Sequence, residues 1–261
     1  MSTSAVMRLE LRRLFVRPLG WVLAALTLAE LGWRFVLLLG NFLAMQVRLA
    51  ALPSGPGFTD MVGVPLLSSL LTGGFIPFGL TELALFVVPL LAMPTLAGER
   101  SHGTLPLLFG TGQSARAIVL GKYAALMVWL VLWLVLALLM PLSLAHATHL
   151  DWGKLAAASL GMLLLLAALA AIGVACSAFA SHPAIAASAA ILLVLALCSI
   201  QLGAQAAGVN NSVIDWLALP THLEPLLRGL VSTGDILWFL LLTIVALALA
   251  IRRVATEKER D

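Results

Sequence analysis

Charge is what this chain has least of. Asp, Glu, Lys and Arg make up 10% of its 261 residues, where an ordinary soluble domain carries roughly a quarter. With 62% hydrophobic residues and a mean hydropathy of +1.08, that shortage argues against a water-soluble fold. Also missing are segments of about ten residues alternating apolar and polar, which a membrane β-barrel requires because one face meets lipid and the other a polar lumen. The two cysteines, Cys176 and Cys198, lie in apolar runs, where a thiol is most often an inert packing group, so they do not disclose a redox compartment. Catalytic signatures are absent: no His-Glu-x-x-His, no Gly-x-Ser-x-Gly, no Cys-x-x-Cys, and no clustered carboxylates outside the C-terminal tail. Lys122 follows Gly121, but Tyr123 stands where a phosphate loop needs Ser or Thr, and the upstream glycine is missing. The chain is therefore read as no enzyme, with no catalytic residue, no metal ligand and no cofactor of its own.

What the sequence does contain is long apolar runs. A hydrocarbon core of about 30 Å needs roughly 20 apolar residues per helix, and several stretches reach that length without a charge. The expected fold is an all-α membrane protein, a single permease-like domain over 1–261, with six spans at about 18–39, 75–97, 119–145, 155–180, 184–203 and 236–252. Residues 1–17 form an amphipathic interfacial helix, with Val6, Leu9 and Leu14 at helical spacing among Arg8, Arg12, Arg13 and Arg17. Pro18 opens the first span, where its missing N–H costs nothing. A polar segment containing Gly and Pro follows to about residue 74, and 204–234 mixes charged with apolar residues in the manner of short helices tucked at the membrane. The basic start and the twin Arg12-Arg13 also look like an export signal. A retained first span is preferred, because so hydrophobic a chain needs no other signal.

Cytoplasmic loops are enriched in Lys and Arg. With both termini inside, the inner segments hold Arg8, Arg12, Arg13, Arg17, Arg100, Arg116, Lys122, Arg252, Arg253, Lys258 and Arg260, against Arg34, Arg48, Lys154 and Arg228 on or toward the outside. The expectation is a multi-pass protein of the cell (inner) membrane with both termini cytoplasmic, as is the loop from 99 to 122.

Ionisable groups within spans are costly and face a partner or a cavity. Glu30 lies roughly 18 Å along the helix from Pro18, and Arg34 follows one turn later in an order that permits mutual neutralisation. Glu82, near the outer part of the second span, shares that environment. Two readings stay open for Glu30, Arg34 and Glu82: a polar path contacting substrate, or a structural pair. His146 and His149 beside Asp151 form at most a weak metal pattern, with water-facing interfacial histidines the commoner case. Asn210-Asn211-Ser212 matches a glycosylation sequon that chance also produces. Ala-rich stretches at 167–171 and 184–190 are packing surfaces that allow close helix approach.

Gly98-Glu99-Arg100-Ser101-His102-Gly103-Thr104-Leu105, the pair Leu107-Leu108, and Ile118-Val119-Leu120-Gly121-Lys122-Tyr123 together resemble the permeases of type-2 ABC exporters, closest to the gliding-motility and nitrous-oxide-reductase-maturation types. Glu10-Leu11-Arg12-Arg13-Leu14-Phe15 with Pro18 is similar to their surface helix. Trp216-Leu217-Ala218-Leu219, His222, Arg228-Gly229 and Asp235 are similar to their external re-entrant segment. Pro106 and Gly110-Thr111-Gly112 depart from the pattern. The resemblance implies that 99–112 is a coupling helix docking into a P-loop ATPase subunit, with Glu99, Arg100, Gly103, Thr104, Leu105, Leu107 and Leu108 as coupling residues and Thr104 as N-cap. Phe109 would add apolar contact. It also implies ATP and Mg on that partner, a second permease copy or similar chain, membrane lipid, an external accessory protein in some branches, and no nucleic acid. The rivals are an ion- or proton-coupled carrier working without an ATPase, with Glu30 or Glu82 titrating, and a non-transporting anchor of an ATPase-driven machine. The substrate is not legible.

Overall fold

A computed structural model of the chain describes residues 3–50, 56–68, 78–110, 112–206, 208 and 211–259; within its helices the side chains of 47–50, 107, 108, 202 and 205 are not described. It is all-helical, with no strand among the described residues, and six helices are long and apolar enough to cross a membrane.

Helix α1 (Thr3–Val16) turns sharply into α2 (Pro18–Ala50). The corner is fixed by Trp21, whose indole N–H donates to Phe15 O at 2.7 Å while the two rings meet edge to face. The long α7 (Ala115–Leu142) passes under α1 at Gly121. A Cβ there would lie 2.8 Å from Val6 Cβ, so the missing side chain is what lets buried Val6 seat and α1 cross so closely.

α2 has 33 residues, about 50 Å at 1.5 Å per residue, and runs well past the expected end at 39. Falling hydropathy ends a membrane crossing but not a helix, and Leu, Met, Ala and Gln sustain the helix after the apolar stretch thins. The segment read as a polar connection also differs. A π-helical turn (Thr59–Gly63) runs into α3 (Val64–Leu67), and both fold into the bundle, burying Phe58, Val62, Leu66 and Leu67. Its flanking Gly and Pro masked a short apolar helix.

The second span is interrupted. α4 (Leu80–Ala92) ends at an irregular break over 93–96, and α5 (Ala97–Ser101) resumes the helix. Residues 75–77, the expected start of this span, lie outside the described residues. Freed backbone groups inside a membrane protein must find partners, and here Ser177 supplies them. Its hydroxyl accepts from Leu96 N at 3.0 Å and Ala97 N at 2.9 Å and donates to Met93 O at 2.9 Å.

Ser177 belongs to α8 (Trp152–Phe179), the central helix, opened by an Asp151 side-chain cap on Lys154 N. It packs against α4, α7, α9 (Pro183–Ala206), α11 (Leu219–Leu227) and α12 (Thr233–Lys258). Its glycines permit this: a Cβ at Gly173 would sit 2.5 Å from Ala92 Cβ, and one at Gly161 2.8 Å from Leu226 Cβ. The expected segment 204–234 contains α10 (Ser212–Leu217) and α11, which buries Leu219, Leu223 and Leu226.

Candidate functional site

The polar residues gather at the two ends of the bundle. At the end holding the termini, four side chains close a square of ion pairs. Lys122 Nζ lies 2.7 Å from Glu10 Oε1 and 2.9 Å from Glu99 Oε1, and Arg13 Nη1 lies 3.0 Å from each of the same two oxygens. The Lys122 side chain is only 1% exposed. A buried charge left without its partner costs several kcal/mol, so the square binds α1, α5 and α7 into one unit.

Arg100, next to Glu99, makes a second lock. Its guanidinium forks onto Glu257 of α12, with Nε at 2.9 Å from Oε1 and Nη2 on Oε2, and also donates to Ala178 O at 2.9 Å and to Ala180 O. These carbonyls close the C-terminal end of α8, where a cation is favoured. Lys258 Nζ donates to Gln113 O at 2.6 Å, tying the end of α12 to the start of α7.

The expected single helix over 99–112 is therefore two helices. α5 stops at Ser101, Gly103 takes the left-handed conformation (φ +67°), and α6 (Leu105–Gly110) starts afresh. His102 Nδ1 contacts Gly98 O, and the Thr104 hydroxyl donates to Glu99 O at 3.2 Å, finishing α5. Glu99 and Arg100 turn inward and Leu105 and Phe109 are buried, while His102, Gly103, Thr104 and Pro106 face outward. Leu107 and Leu108 lie in α6 with side chains outside the described residues, and Thr111 is outside them too. The sequence reading placed Glu99 and Arg100 in a docking face; it missed Glu10, Arg13, Lys122 and Glu257 as their partners.

The intramembrane trio is brought near α3. Arg34 is fully buried, and its Nε and Nη2 both donate to Pro65 O, at 3.0 and 2.5 Å. The last carbonyls of so short a helix lack intrahelical donors, and Arg34 fills that need rather than forming an ion pair with Glu30. Ser68 Oγ donates to Glu82 Oε1 at 3.3 Å, and Glu30 is half-buried.

At the opposite end His222 organises the short helices. Its Nδ1 lies 2.7 Å from Asp235 Oδ1 and its Nε2 2.9 Å from Trp216 O, and the ring stacks on Trp238 at 4.7 Å. Both partners are acceptors, so a ring nitrogen that holds a proton finds an acceptor on either side. Trp216 contributes its carbonyl while its indole is exposed, and Arg228 makes a surface contact with Glu224. Lys154 Nζ meets Asp60 Oδ1 at 2.9 Å nearby.

These features define a helical protein with six candidate membrane spans and its densest ionic architecture at one end. No protein-family model matches the chain, and no curated protein matches it.

Proposed function

We propose that the chain is the membrane-embedded permease subunit of a type-2 ABC exporter, driven by ATP hydrolysis on a separate P-loop ATPase subunit. The observation that supports this best is the ion square joining Glu99 to Glu10, Arg13 and Lys122. A loop that receives force from a partner transmits it only if it is rigidly joined to the spans. The 97–104 elbow meets that requirement: Glu99 fastens it to α1 and α7, and Arg100 to the ends of α8 and α12. His102, Gly103, Thr104 and Pro106 form the exposed knob that an ATPase groove would grip, in place of a longer apolar helix. Movement of the knob would rock the attached helices as rigid bodies about the break at 93–96. Both termini and the elbow lie on the cytoplasmic side in this reading, the segment around His222 outside, and a second permease copy completes the transporter. No covalent chemistry falls to this chain.

The test is a mild-detergent pulldown of tagged chain from its host, with mass spectrometry, comparing wild type with His102→Glu plus Pro106→Asp. Both positions are exposed, and an unchanged size-exclusion profile and helical content check that the variant folds despite losing the His102 contact with Gly98 O. The expected result is a co-purifying P-loop ATPase that the variant loses. A well-folded wild type that brings down no ATPase overturns the proposal and moves the ion-coupled carrier to the front.

A further inference from the structure

Arg13 near the end of α1 and Arg17 at the corner before α2 wall two cavities at once. On one side is a polar recess of about 340 Å³ backed by Lys122, His102 and Thr104. On the other is a groove of about 400 Å³ floored by Leu9 and Val16, with Arg12 also on its wall. Both of these apolar residues are open to the surroundings, Val16 at 75% exposure.

The charges in the recess do not cancel. Three cations, Arg13, Arg17 and Lys122, face two carboxylates, Glu10 and Glu99. Both carboxylates are already held by Lys122 and Arg13. Arg17 makes no ion pair among the described residues, and it stands where α1 hands over to the apolar α2. A planar guanidinium is well matched to phosphate oxygens.

An unpaired arginine between a basic recess and an apolar groove, at the end of an apolar helix bundle, fits a molecule that is anionic at one end and hydrocarbon at the other. We infer that α1 carries a specific site for an anionic glycerophospholipid, with the phosphate between Arg13 and Arg17 and an acyl chain along Leu9 and Val16. The recess alone would admit free phosphate; the groove selects the lipid. A phosphate on Arg13 competes with Glu10 and Glu99 for the same guanidinium, so lipid charge reaches the elbow through the ion square. The inference rests on membrane insertion and not on the ATPase partner.

The experiment reconstitutes the full chain with equal phosphatidylglycerol and phosphatidylcholine of matched chains, then counts retained lipid by native mass spectrometry. Arg17→Gln is compared with Arg8→Gln, which removes the same charge from the adjoining α1 but lines neither cavity. Both side chains are exposed, so folding is unaffected. Wild type and Arg8→Gln are expected to keep one phosphatidylglycerol preferentially, and Arg17→Gln to lose about tenfold in retention, the scale of one charge-assisted contact. Equal losses in the two variants would reduce the effect to general charge attraction and overturn the site, as would equal retention of the two lipids. Displacement of the lipid by millimolar inorganic phosphate, with a phosphate adduct in its place, would overturn the lipid assignment in favour of a free-phosphate site.

Discussion

Lys122 and Glu99 stand 23 residues apart in sequence and meet at 2.9 Å, with the lysine side chain almost wholly out of contact with solvent. Glu10, 112 residues from Lys122, completes the pairing at 2.7 Å. The lysine therefore holds two carboxylates from two other helices, and Arg13 alone is left to them if it is removed. Lys122→Met is expected to destabilise the protein by about 3–5 kcal/mol, the usual result of stranding a buried charge. Adding Glu99→Gln removes part of the stranded charge, so the double variant should lose less than the two single losses combined, with a coupling of roughly 0.5–3 kcal/mol. Denaturation followed by tryptophan fluorescence in detergent measures this, and strictly additive losses would show that the residues do not share a network.

Ser177 makes a prediction at the break in the second span. Its hydroxyl is the partner of Leu96 N and Ala97 N and donates to Met93 O, and an unmet buried donor costs about 1–3 kcal/mol. In Ser177→Ala the amides of Leu96 and Ala97 should exchange hydrogen faster while the middle of α7 is unchanged. Unaltered protection at 96 and 97 would mean that something other than Ser177 holds the break.

The six long apolar helices were legible because each is built on a predominantly apolar run, and such a run has few ways to satisfy its backbone in a membrane other than a helix. The break at 93–96 was not, since Met93-Pro94-Thr95-Leu96 lies inside such a run and the partner of the Leu96 amide is a hydroxyl 81 residues away. Pairings such as Arg100 with Glu257 join residues 157 apart, a distance over which no local pattern operates. Glu30 and Arg34 were legible as neighbours one turn apart on one helix, but the bonds from Arg34 to Pro65 O on α3 join residues 31 apart and leave no local pattern.

Gly121 tests how α1 is held. A methyl group there would come 2.8 Å from Val6 Cβ and 3.1 Å from Thr3 O, and overpacking of this kind costs about 1–3 kcal/mol. Gly121→Ala should lift α1 from α7 and speed trypsin cleavage among Arg8, Arg12, Arg13 and Arg17. Val6→Ala in the same chain removes the outer carbons of the clash and is expected to restore part of the protection. Cleavage unchanged by Gly121→Ala would show that α1 does not depend on this contact.

His222 joins α10, α11 and α12 through two hydrogen bonds and a stacked ring, and replacements separate the two contributions. His222→Phe keeps an aromatic face against Trp238 but gives up the bonds to Asp235 and to Trp216 O, whereas His222→Ala gives up all three contacts. Loss of a hydrogen bond to a charged group is worth roughly 1.5–3 kcal/mol, which raises local opening by about tenfold or more. Trypsin reports that opening, because Arg228 follows α11 directly and its side chain is exposed. His222→Phe should be cut after Arg228 about tenfold faster than wild type, and His222→Ala faster again. If His222→Phe were as resistant as wild type, stacking on Trp238 alone would fix these helices, and the two hydrogen bonds would be incidental to the fold of this end.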